Sequence, residues 1–459
     1  MVCVLSSFLV FFSSSSISVA LPSISVSLTD IQGNLVNGVL ENWIGVSLLL
    51  STAIFSVPCG NLCEKFGLKK SFLFGLIIYS GFSIVSVYSN TVELLITLRF
   101  FQGLGASVIN ITTLSMITEA LPPQERGKSI GLNISGAYIG SALAPGIGGF
   151  LTQLVGWKLM FLSILPFLIL IILVTLLKIP QEWSNNKNEK FDYVGSFIYC
   201  LGIFLIVYGF TILNEITGII LVIIAIILLT LFVKWESSHE TPVFNVKSLT
   251  STVFTSSTIS SLISYLATYS VTYIITYYLQ YVKELDPQTS GFILIVTPIF
   301  MTILAPLSGR LSDKVYPQVL SAIGMSLVTI SLIMLTFLSK TTPLYIIIIS
   351  MVLQGVGCGL FSSPNTNTIM GSVPKHLSSS ASASVSVVRV MGKLLGMGIL
   401  TLIFAFHIDP TYHQIPHTLY QEINELIISS NLALTIFSIL SFISIFTSLV
   451  GLKFKFFKK

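Results

Sequence analysis

Long apolar segments follow one another along almost the whole chain. Fourteen of them fall at residues 2–26, 42–60, 71–89, 94–119, 130–153, 159–177, 194–213, 217–233, 252–280, 291–309, 319–338, 343–369, 380–406 and 430–452. A spanning helix needs about 20 mainly apolar residues, because the hydrocarbon interior of a bilayer offers no water to free backbone groups. The sequence therefore predicts an all-α membrane protein with fourteen spans.

Composition argues against the other broad classes. Of the 459 residues, 53% are hydrophobic and 9% are charged, whereas soluble domains carry roughly 25% charged residues. The apolar segments are continuous rather than alternating, which argues against transmembrane strands. The net charge of +5 is spread over single residues and short loops, so we expect no nucleic acid partner.

Residues that could support metal or redox chemistry are scattered. Cys3, Cys59, Cys63, Cys200 and Cys358 lie in or beside apolar segments and have no spacing typical of a metal site or a disulfide framework. The histidines are mostly in loops and form no convincing ligand set. No phosphate-binding loop is present. We expect no metal, no cofactor and no enzymatic activity.

The distribution of lysine and arginine predicts the orientation. An even number of spans places both termini on one side. The basic residues assigned to that side are Lys65, Lys69, Lys70, Arg126, Lys128, Lys178, Lys187, Lys190, Lys234, Lys247, Arg310, Lys314, Lys375, Lys453, Lys455, Lys458 and Lys459. Only Lys158, Lys283 and Lys340 fall on the other side. We therefore predict a multi-pass protein of the cytoplasmic membrane with both termini cytoplasmic, and an apolar start that is the first span rather than a cleaved signal peptide.

An internal repeat predicts two related halves. The segment Gly60–Lys65 recurs as Gly309–Lys314, and Gln102–Gly105 recurs as Gln354–Gly357, at nearly the same offset. Two matches at nearly one offset indicate a duplicated six-helix unit whose copies share one membrane orientation.

The repeat sets the expected domain boundaries. We predict an amino-terminal six-helix bundle over residues 1–178, a linker with an extra helical hairpin over 179–247, and a carboxy-terminal six-helix bundle over 248–459. The hairpin is almost uniformly apolar, which favours a peripheral, lipid-facing position.

The loop after span two resembles the loop motif of the major facilitator superfamily. The residues that carry the motif and its repeat are Gly60, Glu64, Lys65, Gly67, Gly309 and Asp313. Glu64 stands where the family usually has aspartate, and Leu68 where it usually has a basic residue. A carboxylate there can cap a facing helix or bind a basic side chain across the bundle interface, which would latch one conformation. The alternative is a solvated turn.

Span four resembles the buried arginine motif of the same superfamily. It carries Arg99 and Gln102, followed by small residues. An arginine inside a membrane helix usually faces a cavity or the bundle interior. The resemblance implies a role in proton coupling or cavity electrostatics, and the alternative is a side chain that reaches the outer interface.

Span five resembles the glycine and proline motif of exporters and antiporters in this superfamily. Gly140, Pro145, Gly148 and Gly149 belong to it, and Ala144 replaces the usual glycine before the proline. We expect these residues to form a hinge-like surface between the halves, and ordinary small-residue packing is the alternative. Only this motif separates export from uptake.

Further segments are similar to the fourteen-helix drug:proton antiporter family. They are Val19–Pro22, Gly156–Lys158, Phe191–Gly195 and Arg389–Gly396. The resemblance covers essentially the whole chain and implies the major facilitator fold. It also implies alternating access by a monomer in the lipid bilayer, which would export small amphiphilic compounds or drugs and use protons as coupling ion.

The charges inside the spans depart from that family. Many multidrug members carry an aspartate in span one where this chain has Ser13, and none of the eighteen carboxylates falls near a bilayer centre. The charged residues within spans are Arg99, Arg389 and Lys393. A lysine withdrawn from water loses its proton more readily, so Lys393 is a candidate coupling group. The alternative is a lysine that reaches the interface or lies in a hydrated crevice. We hypothesise that the cavity prefers anionic or neutral amphiphiles.

Hydroxyl, amide and aromatic side chains are the other candidates for the cavity wall. They are Ser13 to Ser16, Ser261, Tyr265, Tyr269, Tyr273, Asn365 and Asn367. The alternatives to export are uptake, or an anion-preferring carrier of one metabolite. An integral membrane enzyme that acts on lipid-linked substrates, a pore and a receptor fit the sequence less well.

Overall fold

The computed structural model describes residues 1–31, 33, 38–184, 191–213, 216–238, 243, 251–285, 287–407 and 420–456. These residues form α1 Val2–Ser27, α2 Gly38–Phe66, α3 Leu68–Ser86, α4 Val92–Ala120, α5 Pro123–Val155, α6 Trp157–Ser163, α7 Leu165–Lys178, α8 Tyr193–Thr211, α9 Ile216–Ser238, α10 Thr252–Tyr277, α11 Pro287–Leu294, α12 Val296–Ser312, α13 Pro317–Leu335, α14 Leu344–Gly371, α15 Ser378–His407 and α16 Tyr420–Phe456. A π-helical turn, Tyr278–Val282, extends α10.

Among the described residues, thirteen helical segments are long and apolar enough to cross a membrane. The helix α1 adds a shorter apolar stretch, Val2–Ile17. Two of the thirteen are broken: α6 and α7 form one segment, and α11 and α12 form another. Pro166 and Pro298 follow the breaks, and a proline supplies no amide to the preceding turn. The count of fourteen spans stays a prediction.

The helices pack in two equivalent sets. In the first bundle, α1 to α7, α1 packs against α5 and both α2 and α3 pack against α4. In the second bundle, α10 to α16, α10 packs against α15 and both α12 and α13 pack against α14. The pairs correspond one to one along the chain, and the predicted domain boundaries stay a prediction.

The repeated Gln-Gly motif makes the same contacts in both bundles. A Cβ atom on Gly103 would lie 2.5 Å from the carbonyl oxygen of Leu48 in α2, and one on Gly355 would lie 2.5 Å from that of Thr297 in α12. Cβ atoms on Gly105 and Gly357 would likewise collide with the backbones of α3 and α13. Only glycine permits so close an approach of the helix backbones.

The extra hairpin differs between its two helices. The outer helix α9 exposes a long row of isoleucines, which fits the predicted lipid-facing position. The inner helix α8 contacts α2 of the first bundle and α15 of the second. The Tyr199 hydroxyl donates to the carbonyl oxygen of Ala53 at 2.9 Å, one turn before Pro58 in α2. The hairpin therefore covers a seam between the bundles.

Candidate functional site

Two carboxylates join the bundles at one end of the molecule. We call this end, where Lys65, Lys128, Arg310 and Lys314 lie, the basic end. Glu64 is 5% exposed, and its Oε1 accepts from the amides of Ser379 at 2.9 Å and Ser380 at 3.4 Å, at the start of α15. A carboxylate at a helix amino terminus binds unsatisfied amides and the positive end of the helix dipole.

The second half repeats this contact in the opposite direction. The two carboxylate oxygens of Asp313 accept from the amides of Gly127 at 2.8 Å and Lys128 at 2.9 Å, near the start of α5. Burial raises the pKa of Asp313 above its ordinary value, and the bonds from Lys128 and Gly127 oppose that rise. We call the Glu64 and Asp313 contacts together the latch.

Glycines let the backbones meet beside each carboxylate. A Cβ atom on Gly60 would lie 3.0 Å from Cβ of Ala383 in α15. A Cβ atom on Gly309 would collide with the carbonyl oxygen of Gly127. The two halves of the repeated loop motif therefore bring α2 close to α15 and α12 close to α5.

The remainder of the first loop motif turns the chain within its own bundle. Gly67 has φ of 103°, a conformation that favours glycine. Lys65 is half-buried beside it. Glu182, after α7, accepts from the amides of Lys69 at 2.9 Å and Lys70 at 3.2 Å and so caps α3. No sequence signal had singled out Glu182.

Further hydrogen bonds close the basic end. They join Ser56 to Ser386 at 3.0 Å, Ser115 to Ser382 at 3.0 Å, Ser378 to Glu119 at 3.2 Å, Ser135 to the carbonyl of Thr302 at 2.9 Å, and Tyr138 to Ser362 at 2.7 Å. Among the described residues, these bonds between bundles run from the basic end to about the middle of α5 and α15. The basic end is therefore closed in this conformation.

Two cations lie above the closed region, midway along α15. Lys393 Nζ is 5.7 Å from the ring centroid of Phe11 in α1 and 5.2 Å from that of Tyr269 in α10. Arg389 lies over the ring of Tyr265 at 5.8 Å and donates to Thr366 Oγ1 at 3.3 Å. Lys393, Arg389 and the three rings are half-buried. We call these five residues the central site.

The structure places the buried arginine motif elsewhere than in the central site. Arg99 is 0% exposed, so its side chain does not reach the outer interface. Its Nη1 donates to Gln102 Oε1 at 2.7 Å, and its Nε donates to the carbonyl of Ile44 at 3.4 Å. Gln102 donates in turn to Ser83. Arg99 and Gln102 therefore tie α4 to α2 and α3 inside the first bundle, and neither lines the central site.

Two other cavity candidates are also buried within single bundles. Asn365 donates to the carbonyl of Ser257 at 3.0 Å and to Ser261 Oγ at 2.7 Å, which joins α14 to α10. Ser13 is buried in α1. Of the aromatic face predicted for α10, Tyr265 and Tyr269 reach the central site.

Two glycines of the small-residue motif in α5, Gly140 and Gly148, face α1 of their own bundle rather than the other bundle, contrary to our expectation. Cβ atoms on Gly140 and Gly148 would collide with Phe8 and Ser16 of α1. Gly140 and Gly148 lie on one face of α5 because their spacing is a multiple of four residues. Pro145 is exposed and Gly149 half-buried. The motif therefore packs α5 against α1 within the first bundle.

Sequence comparison assigns the family. The model of the Major Facilitator Superfamily matches residues 3–397. The riboflavin transporter RibZ of Clostridioides difficile is 28% identical over 379 residues, which are 81% of this chain and 81% of RibZ. The multidrug resistance protein Stp of Mycobacterium tuberculosis is 26% identical over 419 residues, 89% of this chain and 76% of Stp.

Structure comparison agrees with that assignment. The human organic anion transporter MFSD10 superposes with a TM-score of 0.72 over 97% of this chain and 98% of its own, at 10% identity. The chain belongs to the Major Facilitator Superfamily. It is a multi-pass membrane transporter, and proteins of this family are not enzymes. No group of three possible metal ligands occurs in the part of the chain that the structure describes.

Proposed function

We propose that this transporter exports small amphiphilic compounds by alternating access and that a proton gradient drives it. The observation that carries the proposal is the latch: two equivalent carboxylate contacts close the basic end beneath a half-buried site to which both bundles contribute. Rocking of the two bundles would break these contacts together and open the site to the other side of the membrane. Because one chain supplies both bundles, we propose that it works as a monomer.

Outward transport is supported by one relative and by one motif of this chain. Stp, whose alignment covers 89% of this chain, is a multidrug resistance protein. The motif of α5 resembles that of exporters, although its glycines pack within one bundle. We further propose the fourteen-helix drug:proton antiporter family, with α1 as the fourteenth span, and a cytoplasmic basic end that contains both termini.

The proton would bind at the central site. Among the described residues, no carboxylate lies midway along a spanning helix, whereas Lys393 does. A lysine that changes its protonation between the two conformations would couple proton movement to substrate movement. Arg99 would support coupling indirectly, by holding α4 to α2.

A second candidate is a carrier of one metabolite. RibZ, a riboflavin transporter, matches equal shares of both chains, and the central site has the aromatic rings that a planar ligand stacks on. In this case the carrier would move riboflavin or a related aromatic compound and would leave most dyes behind.

Transport by purified protein in liposomes would separate these candidates. We expect an imposed proton gradient to drive dye accumulation and an uncoupler to stop it, with protein-free liposomes as control. Riboflavin movement without dye movement would favour the metabolite carrier. Dye movement that ignores the gradient would contradict proton coupling.

A further inference from the structure

The geometry points to the central site as a binding site for a planar aromatic anion. The ligand's acidic group would lie between Arg389 and Lys393, and its ring would stack among Phe11, Tyr265 and Tyr269. The inference deepens the proposed function, because it names the class of substrate. Binding itself needs no gradient, so the two claims can fail separately.

A bound anion would stabilise the two cations together. Arg389 and Lys393 are four residues apart on α15 and therefore lie on one helical face. Within the described part of the chain, neither forms an ion pair with a carboxylate, and Arg389 donates to the neutral hydroxyl of Thr366. Two like charges held together away from bulk water repel each other, and a bound anion relieves that repulsion.

The rings around the cations define the remainder of the ligand. The Lys393 ammonium lies between Phe11 of the first bundle and Tyr269 of the second, at 5.7 and 5.2 Å from the two ring centroids. A planar ligand can stack on such rings while its acidic group reaches the ammonium. Since the rings come from different bundles, the affinity for the ligand would depend on the relative position of the two bundles.

The charges of Arg389 and Lys393 disfavour a cationic ligand. A cationic aromatic compound would stack equally well on the rings but would face both Arg389 and Lys393. An aliphatic anion would satisfy the cations but would gain little from the rings. A guanidinium has five N–H donors. Among the residues that the structure describes, Arg389 donates one hydrogen bond, to Thr366, which leaves further donors for a carboxylate or a sulfonate.

Equilibrium binding to the purified protein without a gradient tests the charge preference. The probes are fluorescein, an anionic xanthene dye, and rhodamine 123, a cationic ester with the same ring system. We expect the unmodified protein to bind fluorescein at least tenfold more tightly. Lys393→Gln should weaken fluorescein binding about tenfold, and Lys393→Arg should keep it within threefold.

Lys283 provides a matched control. Its Nζ lies 5.8 Å from the ring centroid of Tyr278 and donates to the carbonyl of Lys340, outside the central site. Lys283→Gln removes the same charge from the same kind of ring contact and should leave both dye affinities unchanged. Competition by naphthalene-2-sulfonate against cyclohexanesulfonate tests the rings, and we expect the aromatic anion to compete at least tenfold better.

The comparison of dyes on unmodified protein stands even if Lys393→Gln does not fold. Equal affinity for the two dyes, unchanged fluorescein binding by folded Lys393→Gln, or equal competition by the two sulfonates would overturn the inference. Gradient-driven transport without charge preference would reject the anion site and leave the exporter. Charge-selective binding without any transport would support the anion site and reject the exporter.

Discussion

Replacing Glu64 by alanine should shift the protein away from the conformation that is closed at the basic end. The substitution removes the carboxylate that accepts from the amides of Ser379 and Ser380. A hydrogen bond to a charged group contributes about 1.5–3 kcal/mol, and these amides can be partly rehydrated once the bundles separate. We therefore expect the closed conformation to lose about 2 kcal/mol, which is roughly a 30-fold change in the equilibrium.

Labelling of one engineered cysteine measures this shift. Ser382 is buried against Ser115 across the interface, with 3.0 Å between the hydroxyl oxygens. In a background without the five native cysteines, Ser382→Cys should react slowly with a maleimide while the basic end is closed. Adding Glu64→Ala should raise the labelling rate by roughly the same 30-fold, because labelling follows the population of the open form.

Glu182→Ala is the matched control for Glu64→Ala. The Glu182 carboxylate also accepts from two consecutive amides at a helix start, but those amides belong to its own bundle. Its removal should leave the labelling rate of Ser382→Cys within twofold. Equal acceleration by both substitutions, or none by Glu64→Ala, would refute the assignment of the latch.

Three further substitutions probe other contacts. Gly309→Ala places a methyl group against a backbone carbonyl of α5 and should raise the labelling rate of the same engineered cysteine, whereas Gly291→Ala, which meets nothing within 4 Å, should not. Tyr199→Phe removes a hydrogen bond to α2 and should lower the free energy of unfolding by about 1 kcal/mol, while Tyr193→Phe, on an exposed ring, should leave thermal unfolding unchanged. Arg99→Gln should reduce gradient-driven efflux at least tenfold yet change fluorescein binding less than threefold, because Arg99 lies outside the central site; equal losses in both assays would contradict this.

The repeated loop motif directed attention to residues at the bundle interface. Which helix packs against a given helical face could not be read from the sequence. Gly60 and Gly309 were identified because the motif recurs, and both lie at the bundle interface. The spacing of Gly140 and Gly148 predicts a shared helical face, but it cannot say whether α1 or the other bundle packs on that face. Glu182 was missed because it caps a helix more than a hundred residues earlier in the chain, and no local pattern marks such a pairing.

The charged residues show the same limit. Sequence identified Arg99, Arg389 and Lys393 as the cations inside spans, since each interrupts an apolar segment. The sequence could not show that Arg99 has a different environment from Arg389 and Lys393, because that difference lies in tertiary packing. Arg99 is enclosed by Gln102 and backbone groups of its own bundle, whereas the other two lie beside rings at the bundle interface.

Reversible cross-linking of the basic end tests alternating access most directly. Ser115→Cys combined with Ser382→Cys brings two thiols together across the closed interface, where the native hydroxyl oxygens are 3.0 Å apart. In liposomes with a proton gradient, we predict that oxidation stops fluorescein transport, that a reductant restores it, and that neither single variant responds. Undiminished transport by the fully cross-linked protein would contradict the account, because substrate would then cross without separation of the bundles at the basic end.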